Sequence, residues 1–412
     1  MALEPVLPGP AAAQAKSSLT LHAQVDARNL RPTGVDALLW QAEAGPRAGD
    51  RFSFTFSNDL PVVATLSCRG LDGTPAAEPL LSQAPLATGE SRDLQIPFRF
   101  PGTYFFDLRL LGDSQGRPSR ALAVTPLEAP TPTVDRDEKL VIEDWRLKAD
   151  GTALSPGTES KDAASIFTVN GLILPDVAVR SNERLRLRVI NACQRHVVAV
   201  KIEGLEVRVM AMDSRPAEPF LARNSALVLV PGGRVDAFID VTSAPGSTSQ
   251  ILLHDGKEAR PIARLVVSGE PPVRPAPLPP APPLPSNGLP AQLDLKSAQR
   301  FELSLQGKDW IAPASFSATA PSAFRAKAGR VAVLAVTNRA PIATAFHLHG
   351  HHFRLLDRLD DGWKPYWLDT LAIEPGQTQR VAFLAEYAGR YLLESTATDW
   401  AAPRLLRWYS VE

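Results

Sequence analysis

The sequence predicts an all-β protein built from three repeated units. Three observations carry this. Stretches of alternating apolar residues recur at similar spacing, turn residues are plentiful, and no long amphipathic helical pattern competes with the strand pattern. The chain has 412 residues with 38 Pro and 26 Gly. That length suggests two to four domains, and that composition suits short strands and turns better than long helices.

The first repeated element is a strand. GDRFSFTFSN (49–58), NERLRLRVIN (182–191) and GRVAVLAVTN (329–338) each open on a turn and a charge, then alternate. Side chains two apart share a face of a strand, so Phe52, Phe54 and Phe56 are expected on one face and Leu185, Leu187 and Val189 likewise. The second element follows as PVVATLSCRG (61–70), RHVVAVKIEG (195–204) and PIATAFHLHG (341–350), each ending in Gly. A closing strand completes each unit: LQIPFRFPGTYFF (94–106), GGRVDAFIDV (232–241) and QTQRVAFLAEYAGRYLL (377–393). Short strands at regular spacing predict an antiparallel sandwich or barrel in each unit.

The units are expected at residues 18–127, 128–272 and 292–412, with a boundary near LEAPTPTV (127–134). Residues 273–291 lie in a Pro-rich tract expected to be an extended, semi-rigid linker. Residues 1–17 read as a disordered arm or as the end of a trimmed targeting signal. Ala13-Gln14-Ala15 has a small-x-small cleavage pattern, but no basic n-region or long apolar core precedes it.

Charge narrows the function classes. Lys+Arg and Asp+Glu are 44 each, for a formal net charge of zero. This argues against a generally basic nucleic-acid binder. No run of about 18 apolar residues offers a transmembrane helix. Cys68 and Cys193 cannot make a disulfide framework, and no Cys-x-x-Cys offers a zinc site. Cys68 is expected to be a small buried hydrophobe rather than a reactive thiol. Cys193 is expected in the middle unit's core or a loop.

The densest chemical signal is FHLHGHHF. His347, His349, His351 and His352 account for four of the seven histidines. On a strand, His347, His349 and His351 would share one face, a row suited to copper or zinc. Turn or surface histidines are the alternative reading.

TAFHLHGHHFRLLD followed by PGQTQRVAFLAEYAGRYLL resembles the last domain of multicopper oxidases. FTVNGLILPDVAVRSNERLRLRVINAC (167–193) resembles the second domain, and GTYFFDLRLLG (102–112) the end of the first. The resemblance implies three cupredoxin-like Greek-key β-barrel or sandwich domains. It also implies a trinuclear copper cluster and a type 1 copper, and here the residues depart from the family pattern. Where the first-domain His-x-His is expected, the chain has Ser67-Cys68-Arg69. Where the second is expected, it has Asp107-Leu108-Arg109. The third remains, as His347-Leu348-His349. The type 1 His position falls on Thr344, the His-Cys-His on Glu394-Ser395-Thr396, a later His on Trp400, and the axial position on Leu405.

A blue-copper site draws on a Cys thiolate and two imidazoles, and neither Ser395 nor Thr344 offers these groups. The resemblance therefore points to a member without oxidase activity, akin to the copper-free FtsP/SufI group of periplasmic cell-division proteins. The expectation is a non-catalytic scaffold acting through an unidentified protein partner, periplasmic or secreted, monomeric, with no cofactor. Two alternatives stay open. One is a copper- or metal-binding protein using His347, His349 and their neighbours. The other is a divergent enzyme, either an oxidoreductase of the multicopper oxidase family or one using the charged cluster for acid–base work on a small substrate. In this fold Arg69, Asp107, Arg109 and Glu394 are expected to converge beside His347 and His349.

Overall fold

The structure is a computed structural model that describes residues 18–28, 35–39, 51–112, 121–126, 132–357 and 364–412. The arm at 1–17 and most of the boundary near 127–134 lie outside these residues. The described chain is strands joined by turns, and its helical segments are three-residue 3₁₀ turns at Pro75–Ala77, Arg223–Ser225 and Pro313–Ser315. Among the described residues no helix is long and apolar enough to cross a membrane.

The repeat seen in sequence is a repeat of pairing. Arg51–Asn58, Arg184–Asn191 and Val331–Thr337 each lie between two strands. On one side each pairs antiparallel with the closing strand, Ser91–Pro97, Arg234–Asp240 or Thr378–Leu384. On the other side each pairs parallel with the strand that opens its unit, Ser18–Arg28, Arg136–Leu147 or Gln299–Ser304. The sheets are therefore mixed, a correction to the antiparallel expectation. The connection between the two parallel strands exceeds a dozen residues in each unit, long enough for a parallel return.

A second sheet backs each of these. Phe54 and Phe56 pack with Leu66, Phe106 and Leu108 from the sheet Val63–Arg69, Tyr104–Leu111, Ala121–Val124. Leu185, Leu187 and Val189 pack with Val198, Val200 and Ile251 in the middle unit. Leu334 and Val336 pack with Phe346, Leu348 and Tyr409 in the last. The alternation of apolar residues fills these cores, and the result is the all-β, cupredoxin-like fold the sequence predicts.

The repeated terminal glycines have a conformational cause. Gly70, Gly204 and Gly350 have φ of 93°, 72° and 75°, a left-handed region where a Cβ is penalised.

The Pro-rich tract is extended but is not a free spacer. Val273 N–H donates to the Ser181 carbonyl at 2.9 Å. The Arg184 guanidinium donates to the carbonyls of Leu278 and Pro279 at 3.0 and 2.8 Å. Arg274 pairs with Asp135 at 2.5 Å. Proline carbonyls stay available because the ring removes only the N–H, so the tract is strapped along the middle unit.

Candidate charged cluster and metal-ligand positions

Strand register assembles the cluster. Val63–Arg69 runs antiparallel to Tyr104–Leu111, with Ser67 opposite Asp107 and Thr65 opposite Arg109. Thr344–Leu348 runs antiparallel to Gly389–Ala397, with His347 opposite Glu394 and Ala345 opposite Thr396. Thr396 in turn lies opposite Arg404. Period-two alternation puts Arg69, Asp107, Arg109, Glu394 and Arg404 where the two sheets meet.

The expected convergence is present. Arg69 donates to Glu394 Oε2 at 3.0 Å, and Arg109 donates to Glu394 Oε1. His349 Nε2 lies 2.5 Å from Glu394 Oε1 and its Nδ1 2.6 Å from Glu78 Oε1. Asp107 accepts from Arg404 at 2.6 Å and lies 3.6 Å from Arg109 Nε. Arg69, Asp107, Arg109, His347, His349 and Glu394 are all buried.

Burial and partners set the charge states. Burial alone would lower the pKa of His349, but the carboxylates of Glu78 and Glu394 push it up to about 8. Burial opposes ionisation of Glu394, yet Arg109, Arg69 and His349 hold it well below the ordinary carboxylate range. Asp107 is likewise held down against burial, by Arg404 and Arg109. His347 goes the other way. Burial and the nearby Arg69 lower it to about 3, and its Nδ1 is 2.9 Å from the Asp369 carbonyl. A neutral ring donating from Nδ1 keeps the Nε2 lone pair.

His347, His349 and Glu394 offer ligand atoms that all lie within 4.8 Å of one another. The other two histidines of the cluster do not join them. The strand ends at Leu348, and the positive φ of Gly350 breaks the alternation. His351 enters a ring of aromatic side chains, with Nδ1 2.7 Å from the Tyr409 hydroxyl and its ring centroid 5.2 Å from Phe383. Burial lowers its pKa to about 4. His352 binds Asp72 through Nδ1 and the Asp213 carbonyl through Nε2, both at 2.6 Å. The expected single-face row of three imidazoles is thus corrected to a pair.

Of the remaining singled-out positions, Thr396 lines the small space among Arg69, His347, Glu394 and Arg404, and the others lie outside it. Ser395 Oγ donates to the Leu305 carbonyl at 3.1 Å, and Leu405 stands opposite Ser395 in register. Thr344 Oγ1 is 3.4 Å from Asn338 Oδ1. Trp400 donates to the Ser155 carbonyl at 3.0 Å and lies under the Arg146 guanidinium. Thr396 and Ser67 are buried, and Ser67 Oγ has no partner among the described residues. Burial raises the Cys68 thiol well above its ordinary value, and Cys193 is buried in the middle core with its thiol raised too.

Sequence reasoning missed Glu78 and Arg404. Neither carries a local signal. Glu78 caps the 3₁₀ turn Pro75–Ala77, and Arg404 opens the last strand, Arg404–Val411.

Known proteins share this architecture. Residues 136–248 and 289–412 each match a family model described as multicopper oxidase, together more than half of the chain. Laccase-6 of Oryza sativa subsp. japonica is 25% identical over 248 residues, 53% of this chain and 41% of that protein. Laccase-1 of Thanatephorus cucumeris is 24% identical over 212 residues, 44% of this chain and 36% of that protein. The chain therefore spans about two fifths of the length of the curated relatives it matches. A multi-copper oxidase from Pseudomonas thermotolerans superposes with TM-score 0.82 at 23% identity, covering 96% of this chain and 99% of the other. Lac15 from a marine microbial metagenome superposes with TM-score 0.76 at 22% identity, covering 96% and 100%. These superpositions show the fold, and the two sequence models show the lineage: the chain belongs to the multicopper oxidase family.

Proposed function

We propose that this chain is a multicopper-oxidase-fold protein without oxidase chemistry, in which charged side chains stand where copper ligands are expected. The observation that carries the reading is the saturation of Glu394. Its two oxygens are taken by Arg69, Arg109 and His349 Nε2. A metal ion bound there would have to displace two guanidiniums and a ring proton. The space among Arg69, His347, Glu394 and Arg404 is about 10 Å³, roughly the room one water needs. The residues as arranged therefore do not fit a copper cluster. Nor do Ser395, Thr344, Trp400 and Leu405 supply the thiolate and imidazoles of a blue-copper site.

A buried ion network centred on Glu394 is suited to fixing the relative placement of sheets. The reading is a scaffold akin to the FtsP/SufI group, held together by this network; export, a monomeric state and a protein partner come to it from the family resemblance alone. The division into units at 18–127, 128–272 and 292–412 belongs to the same reading.

The test is elemental analysis with oxygen uptake. The protein is purified after expression with copper supplied, then assayed with phenols, diamines and cuprous ion. Copper well below one equivalent and oxygen uptake at background are expected. Copper-dependent uptake overturns the reading.

One observation favours a second reading. The 4.8 Å clustering of His347, His349 and Glu394 is a spacing that a single ion can bridge. Stoichiometric copper or zinc that is lost on His347→Ala would establish a metal-binding protein instead.

A further inference from the structure

Beside the cluster lies a cleft of about 320 Å³, at the small end of ligand-sized pockets. Its lining includes Asp107, Arg109, Arg195 and Arg404, three guanidiniums against one carboxylate. Even with Glu394 counted against Arg109, one cation stays uncompensated. That cation is Arg195. Its Nε and Nη2 donate to the Ala402 carbonyl at 3.1 and 3.0 Å, and its Nη1 donates to the Gln194 carbonyl at 2.8 Å. No carboxylate pairs with it among the described residues, although it is only 4% exposed. Burial and the neighbouring Arg404 lower its pKa to about 10. Arg109 is 5% exposed, and its Nη1 has no acceptor among the described residues. Buried guanidinium donors left without an anionic partner are costly, and a bound anion would offset that cost.

Most of the rest of the wall is apolar, with Ser155, Thr158 and Gln194 as its polar members. Leu110, Pro156, Pro313 and Pro403 line it. Such a wall leaves a fully hydrated inorganic anion poorly accommodated and suits a hydrocarbon body.

We propose that this cleft is a binding site for a small organic carboxylate. The acid head is held by Arg195 with Arg109 and Arg404, and the body lies against Leu110 and the prolines. Guanidinium forks match carboxylate geometry and give charge-assisted hydrogen bonds. The site makes no use of a metal, so it stands or falls apart from the copper-free reading.

The test is titration of the full chain with benzoate, benzamide and inorganic phosphate, followed by calorimetry and ligand-observed NMR, with metal content measured on the same sample. Benzoate is expected to bind at one site, and benzamide, of the same shape without the charge, is expected not to. Arg195→Gln should weaken benzoate by about 10–100-fold, as loss of a hydrogen bond to a charged group does. It breaks no ion pair but loses the hydrogen bonds to the Ala402 and Gln194 carbonyls, so a thermal melt of the variant accompanies the titration. Ala314 also lines the cleft, and Ala314→Tyr, which leaves the arginines in place, should block benzoate by filling space. Absence of benzoate binding overturns the proposal. So does equal binding by benzamide, or benzoate binding unchanged in both variants. Phosphate binding as tightly as benzoate, with the same dependence on Arg195, overturns the organic assignment.

Discussion

Arg69 and Glu394 are 325 residues apart in the chain and meet in a buried ion pair of 3.0 Å, with side-chain exposures of 6% and 1%. The pair joins Val63–Arg69 to Gly389–Ala397, strands of the first and last repeats. Glu394 also holds Arg109 and His349, so one carboxylate organises three cations. Removing one partner of a buried pair leaves an uncompensated charge. Arg69→Ala should therefore cost about 3–5 kcal/mol, read by denaturant unfolding. Glu394→Ala, which takes the carboxylate from both guanidiniums and leaves His349 with Glu78 alone, should cost more. An unchanged denaturation midpoint in both variants would contradict the network's structural role.

The network should also give stability a defined pH dependence. His349 has a folded pKa raised to about 8 by Glu78 and Glu394 against burial. Its unfolded value is about 6.5. The stabilisation is fully present below about pH 6.5 and is lost as pH rises through about 8. His347 and His351 are lowered to about 3 and 4, chiefly by burial. They stay neutral in the fold while the unfolded chain takes up their protons, so stability falls as pH drops below about 6.5. Melting temperature should decline on both sides, and His349→Gln should remove the alkaline limb while leaving the acid one. An alkaline limb unchanged in that variant would show that another group causes it.

How much of this was legible in sequence depends on how local the signal is. Phe54, Leu187 and Leu334 sit in cores because alternation on a strand decides which face is buried, and that pattern is contiguous. Arg69, Asp107, Arg109 and Glu394 carry no pattern of their own. Their meeting was foreseeable only through positional resemblance to a family whose fold brings those sites together. Glu78 and Arg404 were invisible because their partners, His349 and Asp107, are hundreds of residues away. The histidine run misled in one respect. Its density was plain, but the left-handed turn at Gly350 reassigns His351 to the aromatic ring of Tyr409, and strand periodicity does not anticipate that.

A thiol introduced at position 395 should not create a blue-copper centre. Ser395 donates to the Leu305 carbonyl, and its surroundings include Leu405 opposite in register and Thr344 on the neighbouring strand. Ser395→Cys loses one hydrogen bond, about 0.5–1.5 kcal/mol, and gains a sulfur with no imidazole partners. Purified with copper supplied, the variant should show no intense thiolate–copper band in the visible spectrum. The appearance of such a band would mean that ligands from elsewhere reach the site.

The final prediction isolates the packing around Arg69 from backbone strain. Gly232 has φ +86°, and a Cβ there would stand 2.7 Å from Arg69 Nε and 2.8 Å from its Cδ and Cζ. The side chain of Arg69 cannot give way without drawing its guanidinium off Glu394. Gly246 has nearly the same backbone, φ +79°, with nothing within 4 Å of a Cβ. Gly246→Ala should therefore show only the left-handed penalty, about 1–2 kcal/mol. Gly232→Ala should show that penalty plus the loss of the Arg69–Glu394 contact. Thermal melts of the two variants should differ clearly, with Gly232→Ala the less stable. In the background of Arg69→Ala, where the obstructing side chain is gone, Gly232→Ala should fall to the cost of Gly246→Ala, because the two changes share one partner and are non-additive. Equal costs for the two glycines in the native background would place Arg69 outside the determinants of stability.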